Sequence, residues 1–186
     1  PGGKSVHLAE MLRETGMVEA RDLTDYKVGM IEENIRRHGL SNMTAVRMDA
    51  TIFDPASEET ADIVIADLPC SGLGVMRKKT DIKYKMTPET EKELVCLQQK
   101  ILDTVCRYVK SGGTLLYSTC TIDKMENENN VEWFLKTHPE YELVRMQQIF
   151  PMDSYGDGFF LAKLKKTGSV RKEGDGATDK ETDWNN

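Results

Sequence analysis

Apolar positions change their spacing repeatedly along the chain, and each change marks an element. Residues 5–15 carry a helical period, and residues 17–22 form a short strand. Residues 25–38 are again helical and stop at Gly39, a residue suited to the left-handed turn that ends helices. A second strand covers 44–48, and a third covers 61–68, where Ile63-Val64-Ile65-Ala66 is the continuous apolar run of a strand buried on both faces. A polar, basic loop leads to Pro88, which opens a long helix to about residue 109 with Leu94, Leu97, Ile101, Leu102 and Val105 on one face. Gly112-Gly113 turns the chain into a strand at 114–118; a helix at 126–136 and strands at 141–146 and 159–165 complete the series.

Strands alternating with helices through short loops predict an α/β fold, an open and mostly parallel sheet. The last two strands have no helix between them, so they are expected to form an antiparallel pair at one edge. A glycine loop that opens a helix normally follows a strand, and Pro1-Gly2-Gly3-Lys4 has none ahead of it. The first strand is therefore expected to be missing from this chain, with anything upstream of it. Residues 1–166 read as one domain. Residues 167–186 are mostly Gly, Ser, Thr, Asp, Glu, Lys and Asn and are expected to be disordered.

Composition narrows the class only slightly. With 39% hydrophobic and 30% charged residues the 186-residue chain reads as a globular domain, and no stretch reaches the roughly 20 apolar residues of a membrane span. Cys70, Cys96, Cys106 and Cys120 show neither CxxC spacing nor the density of a disulfide scaffold, so the expectation is a reduced, cytoplasmic protein. The net charge of −6 argues against holding nucleic acid by bulk charge alone. His7, His38 and His138 have no spacing that suggests a metal, and none is expected.

In open α/β sheets ligands sit beyond the carboxyl ends of the strands. Asp22, Asp49 and Asp67 each fall at or just past such an end, and Cys70 and Cys120 follow two of them. An Asp after a strand often does no more than cap the next turn; three carboxylates and two thiols on one rim ask for more. Asp22 lies 18 residues after Lys4, the distance at which a doubly wound fold grips the vicinal hydroxyls of a ribose.

Two chemistries compete for these residues. Gly3-Lys4-Ser5 matches the end of a phosphate-binding loop, and Ile63 to Asp67 resembles the strand-plus-Asp that holds magnesium in nucleotide hydrolases. That reading leaves Cys70, Cys120 and Asp22 idle. The other uses them all: a methyltransferase that binds S-adenosylmethionine and attacks a pyrimidine through a thiolate. Cytosine C5 is a poor nucleophile until a thiolate adds to C6 and turns C5 into an enamine carbon. The chemistry needs an ionised cysteine, a partner at the N3 edge and a base lifted out of its stack.

Three blocks then carry a resemblance. Pro-Gly-Gly-Lys at 1–4, Asp67-Leu68-Pro69-Cys70-Ser71-Gly72-Leu73-Gly74, and Tyr117-Ser118-Thr119-Cys120-Thr121 resemble the signature motifs of the RNA cytosine-5 methyltransferases. Gly156-Asp157-Gly158-Phe159-Phe160 and Asp81-Ile82-Lys83 are similar to those of the small-subunit ribosomal RNA methyltransferase B group, RsmB or Sun. The likeness covers residues 1–166 in order and implies a Rossmann-like methyltransferase domain with S-adenosylmethionine as cofactor. It implies that Cys120 is the nucleophile and that Cys70 resolves the adduct. Asp67 would lie beside the methionine end of the cofactor and the target base, Asp22 at the ribose, and Asp49 near the adenine amino group. Pro1, Gly2, Gly3 and Lys4 would form the last part of the cofactor loop. Cys96 and Cys106 match nothing catalytic and are read as small core or surface residues.

The resemblance further implies an RNA partner, ribosomal RNA first and transfer RNA as the alternative, and an N-terminal RNA-binding domain that this chain lacks. A catalytically silent RNA-binding fragment is a third reading. Residues 77–85 hold five basic side chains and one acidic one around Tyr84, a local patch fit for RNA despite the overall acidity. One departure stands out: where the family often has a Pro-Glu-Glu/Asn stretch after the second cysteine, this chain has Lys124-Met125-Glu126-Asn127-Glu128.

Overall fold

A left-handed glycine begins the fold. The computed structural model describes residues 1–13, 15–76, 87–151 and 156–168. Gly2, at φ 81°, turns the chain so that helix α1 (Gly3–Leu12) starts at once, and a Cβ on Gly2 would stand 3.0 Å from Ile31 Cγ1. Arg13 is also left-handed, at φ 44°, which ends α1 before the expected residue 15. Strand β1 (Val18–Asp22) follows, then α2 (Asp25–His38), capped by the Thr24 hydroxyl on the Lys27 N–H and closed by Gly39 as expected. Next come β2 (Met43–Arg47), β3 (Ala61–Asp67) and α3 (Pro88–Val105), whose Thr87–Thr90 capping box and Pro88 fix its start. The chain ends in β4 (Val109–Thr119), α4 (Glu128–Thr137), β5 (Tyr141–Ile149) and β6 (Phe159–Lys166).

The strands form two sheets. β1 pairs with β2 in parallel, and the larger sheet runs β3-β4-β6-β5, with β3 and β4 parallel and β6 antiparallel to both its neighbours. The expected antiparallel pair is present at the edge, with the last strand on its inner side.

Three expectations are corrected. Strand β3 is not buried on both faces: it ends its sheet, and Ile63 and Ile65 are 56% and 36% exposed. Gly112-Gly113 does not lead into a strand but lies within one, because β4 starts at Val109. Ala61 pairs with Val109 and Ile63 with Thr114, so the glycines take up an irregularity in the ladder. Finally, α3 stops at Val105, a short 3₁₀ turn (Cys106–Tyr108) delivers the chain to β4, and Leu97 is exposed while Gln98 takes the buried position.

The main core lies under the larger sheet, where Ile101, Leu102 and Val105 of α3 and Val131 and Phe134 of α4 meet Leu115, Tyr117, Phe160 and Leu164. Each such side chain contributes about 1.5–3 kcal/mol by leaving water. A smaller cluster of Val6, Ala9, Val18, Ala20, Ile31 and Met43 joins α1 and α2 to the β1–β2 pair. Among the described residues no helix is long and apolar enough to cross a membrane. The basic patch at 77–85, Asp81-Ile82-Lys83, and the tail from 169 onward lie outside the described residues.

Candidate active site

Parallel strands deliver their carboxyl ends in one direction, and at the ends of β3 and β4 three of the expected residues, Asp67, Cys70 and Cys120, come together. Asp67 closes β3 opposite Ser118 of β4, and the Ser118 hydroxyl donates to Asp67 Oδ1 at 2.8 Å. Its other oxygen, Oδ2, meets Lys4 Nζ at 2.6 Å, and the Lys4 ammonium lies 4.7 Å from the centre of the Phe159 ring. This contact joins the glycine loop to the larger sheet. Both side chains are about half exposed (46% and 50%), so the pair adds at most about 1 kcal/mol and serves mainly to aim them.

The two cysteines meet beyond the same strand ends. Cys70 Sγ and Cys120 Sγ lie 3.2 Å apart, and the Cys120 N–H donates to Cys70 Sγ at 3.3 Å. Neither is in a disulfide. The bond to Cys120, reinforced by burial, pushes the Cys70 thiol far above its ordinary value, so Cys70 keeps its proton at neutral pH. The other two cysteines take no part. Cys96 is exposed on α3, and Cys106 is buried, its thiol pushed up to about 12 by desolvation.

A close backbone approach locks the loop after Cys70. The Gly74 N–H donates to the Cys120 carbonyl at 3.0 Å, and the Gly74 carbonyl accepts from the Gly158 N–H at 2.8 Å. A Cβ on Gly74 would fall 2.3 Å from the Gly158 carbonyl oxygen and 2.8 Å from that of Cys120. Only glycine fits there. The sequence blocks around 70–74, 117–121 and 156–160 are thus one structural unit.

Asp22 and Asp49 stand apart from the thiols, at the ends of β1 and β2. Asp22 Oδ1 accepts weakly from the Thr24 N–H at 3.4 Å, with Lys27 Nζ 3.6 Å away. Asp49 Oδ1 takes both the N–H and the hydroxyl of Thr51, at 2.8 and 2.7 Å, and these bonds hold its carboxyl below the usual carboxylate range. Pro1 is tied down by the Asn34 amide, which donates to its carbonyl at 3.1 Å.

Four polar residues behind the thiols are not among the expected site residues, although Glu126 and Asn127 fall in the stretch after the second cysteine where the chain departs from the family pattern. Gln98, Glu126, Asn127 and Asn130 are all fully buried. Gln98 had a readable signal: with Leu94, Ile101, Leu102 and Val105 it occupies the apolar face of α3, where a glutamine needs polar partners.

S-adenosylmethionine fits this rim. Its ribose hydroxyls and adenine amino group are donors and its sulfonium and ammonium are cationic, which suits acceptor carboxylates. Asp22 and Asp49 meet that need, their hydrogen bonds among the described residues falling on one oxygen each. The left-handed Gly2, with no room for a Cβ beside Ile31, lets backbone approach a ligand at the start of α1. When bound, the cofactor supplies an electrophilic methyl group.

Comparison with known proteins agrees. The probable ribosomal RNA small subunit methyltransferase B of Bacillus subtilis (strain 168) is 39% identical over 90% of this chain and 42% of its own length. The ribosomal RNA small subunit methyltransferase F of Cronobacter sakazakii is 32% identical over 91% of this chain and 39% of its own length. The chain therefore spans about two fifths of the curated relatives it matches. Among solved structures, NSun6 from Pyrococcus horikoshii, determined with the S-adenosylmethionine analogue SFG, superposes with a TM-score of 0.77 at 28% identity. That superposition covers 91% of this chain and 46% of NSun6. A SAM-dependent methyltransferase from Aquifex aeolicus, 16% identical, shares the fold with a TM-score of 0.60 over 89% of this chain and 77% of its own. These matches set aside the phosphate-loop reading of Gly3-Lys4-Ser5 and give the site S-adenosylmethionine as its cofactor. The family model of the 16S rRNA methyltransferases RsmB/F matches residues 1–165, and the chain belongs to that family.

Proposed function

We propose that this chain is the catalytic domain, residues 1–166, of a cytoplasmic enzyme that methylates C5 of a cytosine in ribosomal RNA through a covalent adduct on Cys120. The observation that carries the proposal is the pair of sulfurs 3.2 Å apart beside Asp67, on the rim where a cofactor fits. A methyltransferase acting on a nitrogen or an oxygen has no use for two apposed thiols. A transfer RNA substrate would use the same residues; the names of the curated relatives favour ribosomal RNA.

The residues divide the work by their chemistry. The family resemblance makes Cys120 the attacking sulfur, and the contact with Cys120 together with burial pushes the Cys70 thiol up, which suits Cys70 to stay protonated 3.2 Å from it. The Cys120 thiolate adds to C6 of an unstacked cytosine as N3 takes up a proton, which the half-exposed Asp67 carboxyl is placed to relay from solvent. C5, now nucleophilic, takes the methyl group. Water takes the C5 proton, the C5–C6 double bond re-forms as the C6–S bond breaks and Cys120 leaves as a thiolate, and N3 returns its proton to solvent. Cys70, in contact with that sulfur throughout, is the group placed to assist its departure. Asp22 and Asp49 would hold the ribose and adenine ends of the cofactor, and Pro1 to Lys4 its methionine end.

The test is incubation with S-adenosylmethionine and ribosomal RNA, followed by mass spectrometry of the digested nucleosides. The expected product is 5-methylcytidine, absent with Cys120→Ala. A methyl group on another base atom, or undiminished product from Cys120→Ala, overturns the proposal.

A further inference from the structure

Strand pairing does not by itself bring the two thiols together. The β3–β4 ladder ends where the Leu68 N–H meets the Ser118 carbonyl at 3.1 Å, and both chains then turn away into loops. The residues flanking the two cysteines meet once directly, through the Ser71 and Thr121 hydroxyls at 2.8 Å, and are otherwise held by side chains from elsewhere. On the Cys70 side, the Pro69 carbonyl accepts from Gln98 Nε2 at 2.9 Å, and the Ser71 N–H donates to Glu126 Oε2 at 2.9 Å. Gln98 Nε2 also donates to Glu126 Oε2 at 2.8 Å, which closes a clamp around Cys70. On the Cys120 side, Asn127 Oδ1 accepts from the Thr119 hydroxyl at 2.6 Å, and Asn127 Nδ2 donates to the Thr121 carbonyl at 3.1 Å.

Two adjacent residues thus hold neighbours of two different cysteines: Asn127 holds both Thr119 and Thr121, while Glu126 holds Ser71 directly and Pro69 only through Gln98. The dipeptide is itself anchored: the Tyr117 hydroxyl and Asn130 Nδ2 both donate to the Glu126 carbonyl, and Asn130 Nδ2 also holds Gln98 Oε1 at 2.7 Å. Asn127 Nδ2 makes a second bond, to Gln148 Oε1, at 2.8 Å. Glu126 is a costly residue to bury. It is wholly inside the protein, and among the described residues its Oε1 has no hydrogen-bond partner. Carboxyl burial costs several kcal/mol, and an apolar residue of similar volume would commonly stabilise such a place. What Glu126 provides in return is an acceptor for the peptide N–H next to Cys70.

We propose that Glu126-Asn127 is a positioning element that sets the distance between the two thiols, Glu126 through the Cys70 loop and Asn127 through the Cys120 loop. Neither is a catalytic residue, since neither touches the reacting atoms. The proposal deepens the reading of Cys120 as nucleophile and Cys70 as the resolving thiol, and it rests on that reading only for its kinetic consequence. Weakening the Cys70 clamp should impair release, whereas weakening the Cys120 clamp should impair attack.

The test separates the geometry from the reaction. Glutathione disulfide oxidises apposed thiols: the Cys70 and Cys120 thiols lose two protons and two electrons to form one S–S bond, and two glutathione thiols appear. Sulfurs at 3.2 Å need little movement to close that bond. The rate of Cys70–Cys120 linkage, read by peptide mass spectrometry on this chain, should fall at least about tenfold in Glu126→Ala and in Asn127→Ala. Glu126→Gln, whose amide oxygen can replace Oε2, should stay within about threefold of the parent. Alkylation of buried Cys106 reports whether each variant remains folded. Where an alanine variant exposes Cys106, the near-isosteric Thr119→Val decides, with at least about threefold slower linkage expected.

In folded variants, Glu126→Ala should accumulate adduct on ordinary RNA, while Asn127→Ala should form adduct slowly on 5-fluorocytosine RNA. Parental linkage rates in folded Glu126→Ala and Asn127→Ala, or in Thr119→Val, overturn the positioning role. Normal linkage changes combined with no adduct in the parent chain would instead overturn the methyl-transfer reading and leave the positioning role standing.

Discussion

The two halves of the rim are built differently. Around the β1–β2 pair, Asp22 and Asp49 stand at strand ends and are held by bonds within their own turns, above a core of six buried side chains. Around β3 and β4, the thiols are held by residues from α3 and from the segment leading into α4, above a core of sixteen. Under the proposed function, the contrast follows what each half would have to do. A cofactor with many donors can be gripped by carboxylates that a turn aims approximately. Two sulfurs that must act in sequence at one carbon tolerate far less freedom, and a buried network supplies that restriction.

The same contrast predicts where the molecule fails first at high pH. Burial pushes the pKa of the Cys106 thiol up to about 12 and those of Tyr117 and Tyr141 well above the usual tyrosine range, all in the thiol-bearing half. The other half, residues 1–47, has no cysteine and one tyrosine, Tyr26, which is exposed. A group whose folded value is raised contributes stability that is complete below its unfolded value, near 9 for Cys106, and is lost as the pH climbs through about 12. The thermal midpoint should therefore fall by at least about 4 °C between about pH 9 and pH 11. Hydrogen exchange should show α3 and β4 losing protection more than α2; an earlier loss in α2 would reverse the comparison. A smaller effect sharpens it from the other side. Asp22→Ala should weaken S-adenosylmethionine binding about tenfold by calorimetry, or about 1.4 kcal/mol, with the thermal midpoint of the unliganded chain unchanged. An unchanged affinity would remove Asp22 from the cofactor site.

What the sequence revealed divides along similar lines. Helix α2 was legible to the residue because its helical period runs over 25–38 and Gly39 announces its end. The rim was legible because strand ends and chemistry-bearing residues coincide at Asp22, Asp49, Asp67, Cys70 and Cys120. Ile63 and Ile65 misled because an apolar run reports a preference for burial, and β3 lies at the end of its sheet. Gly112-Gly113 misled because a glycine pair serves an irregular strand as well as a turn. Glu126 and Asn127 fall in the stretch that stands where the family often has Pro-Glu-Glu/Asn, but nothing in the sequence says what they hold. A buried polar residue is recognised by its partners, and the side chains of these two find theirs at positions 71, 98, 119, 121 and 148. Only the packing of α3, α4, β4 and β5 brings these together.

The most direct measurement is covalent trapping on RNA that carries 5-fluorocytosine, in the presence of S-adenosylmethionine, with the adduct mapped by peptide mass spectrometry. Fluorine at C5 cannot leave as a proton does, so the enzyme should remain bonded to C6. The account predicts a single modified residue, Cys120, with trapping abolished in Cys120→Ala and retained in Cys70→Ala. An adduct on Cys70, or trapping that persists in Cys120→Ala, would contradict it.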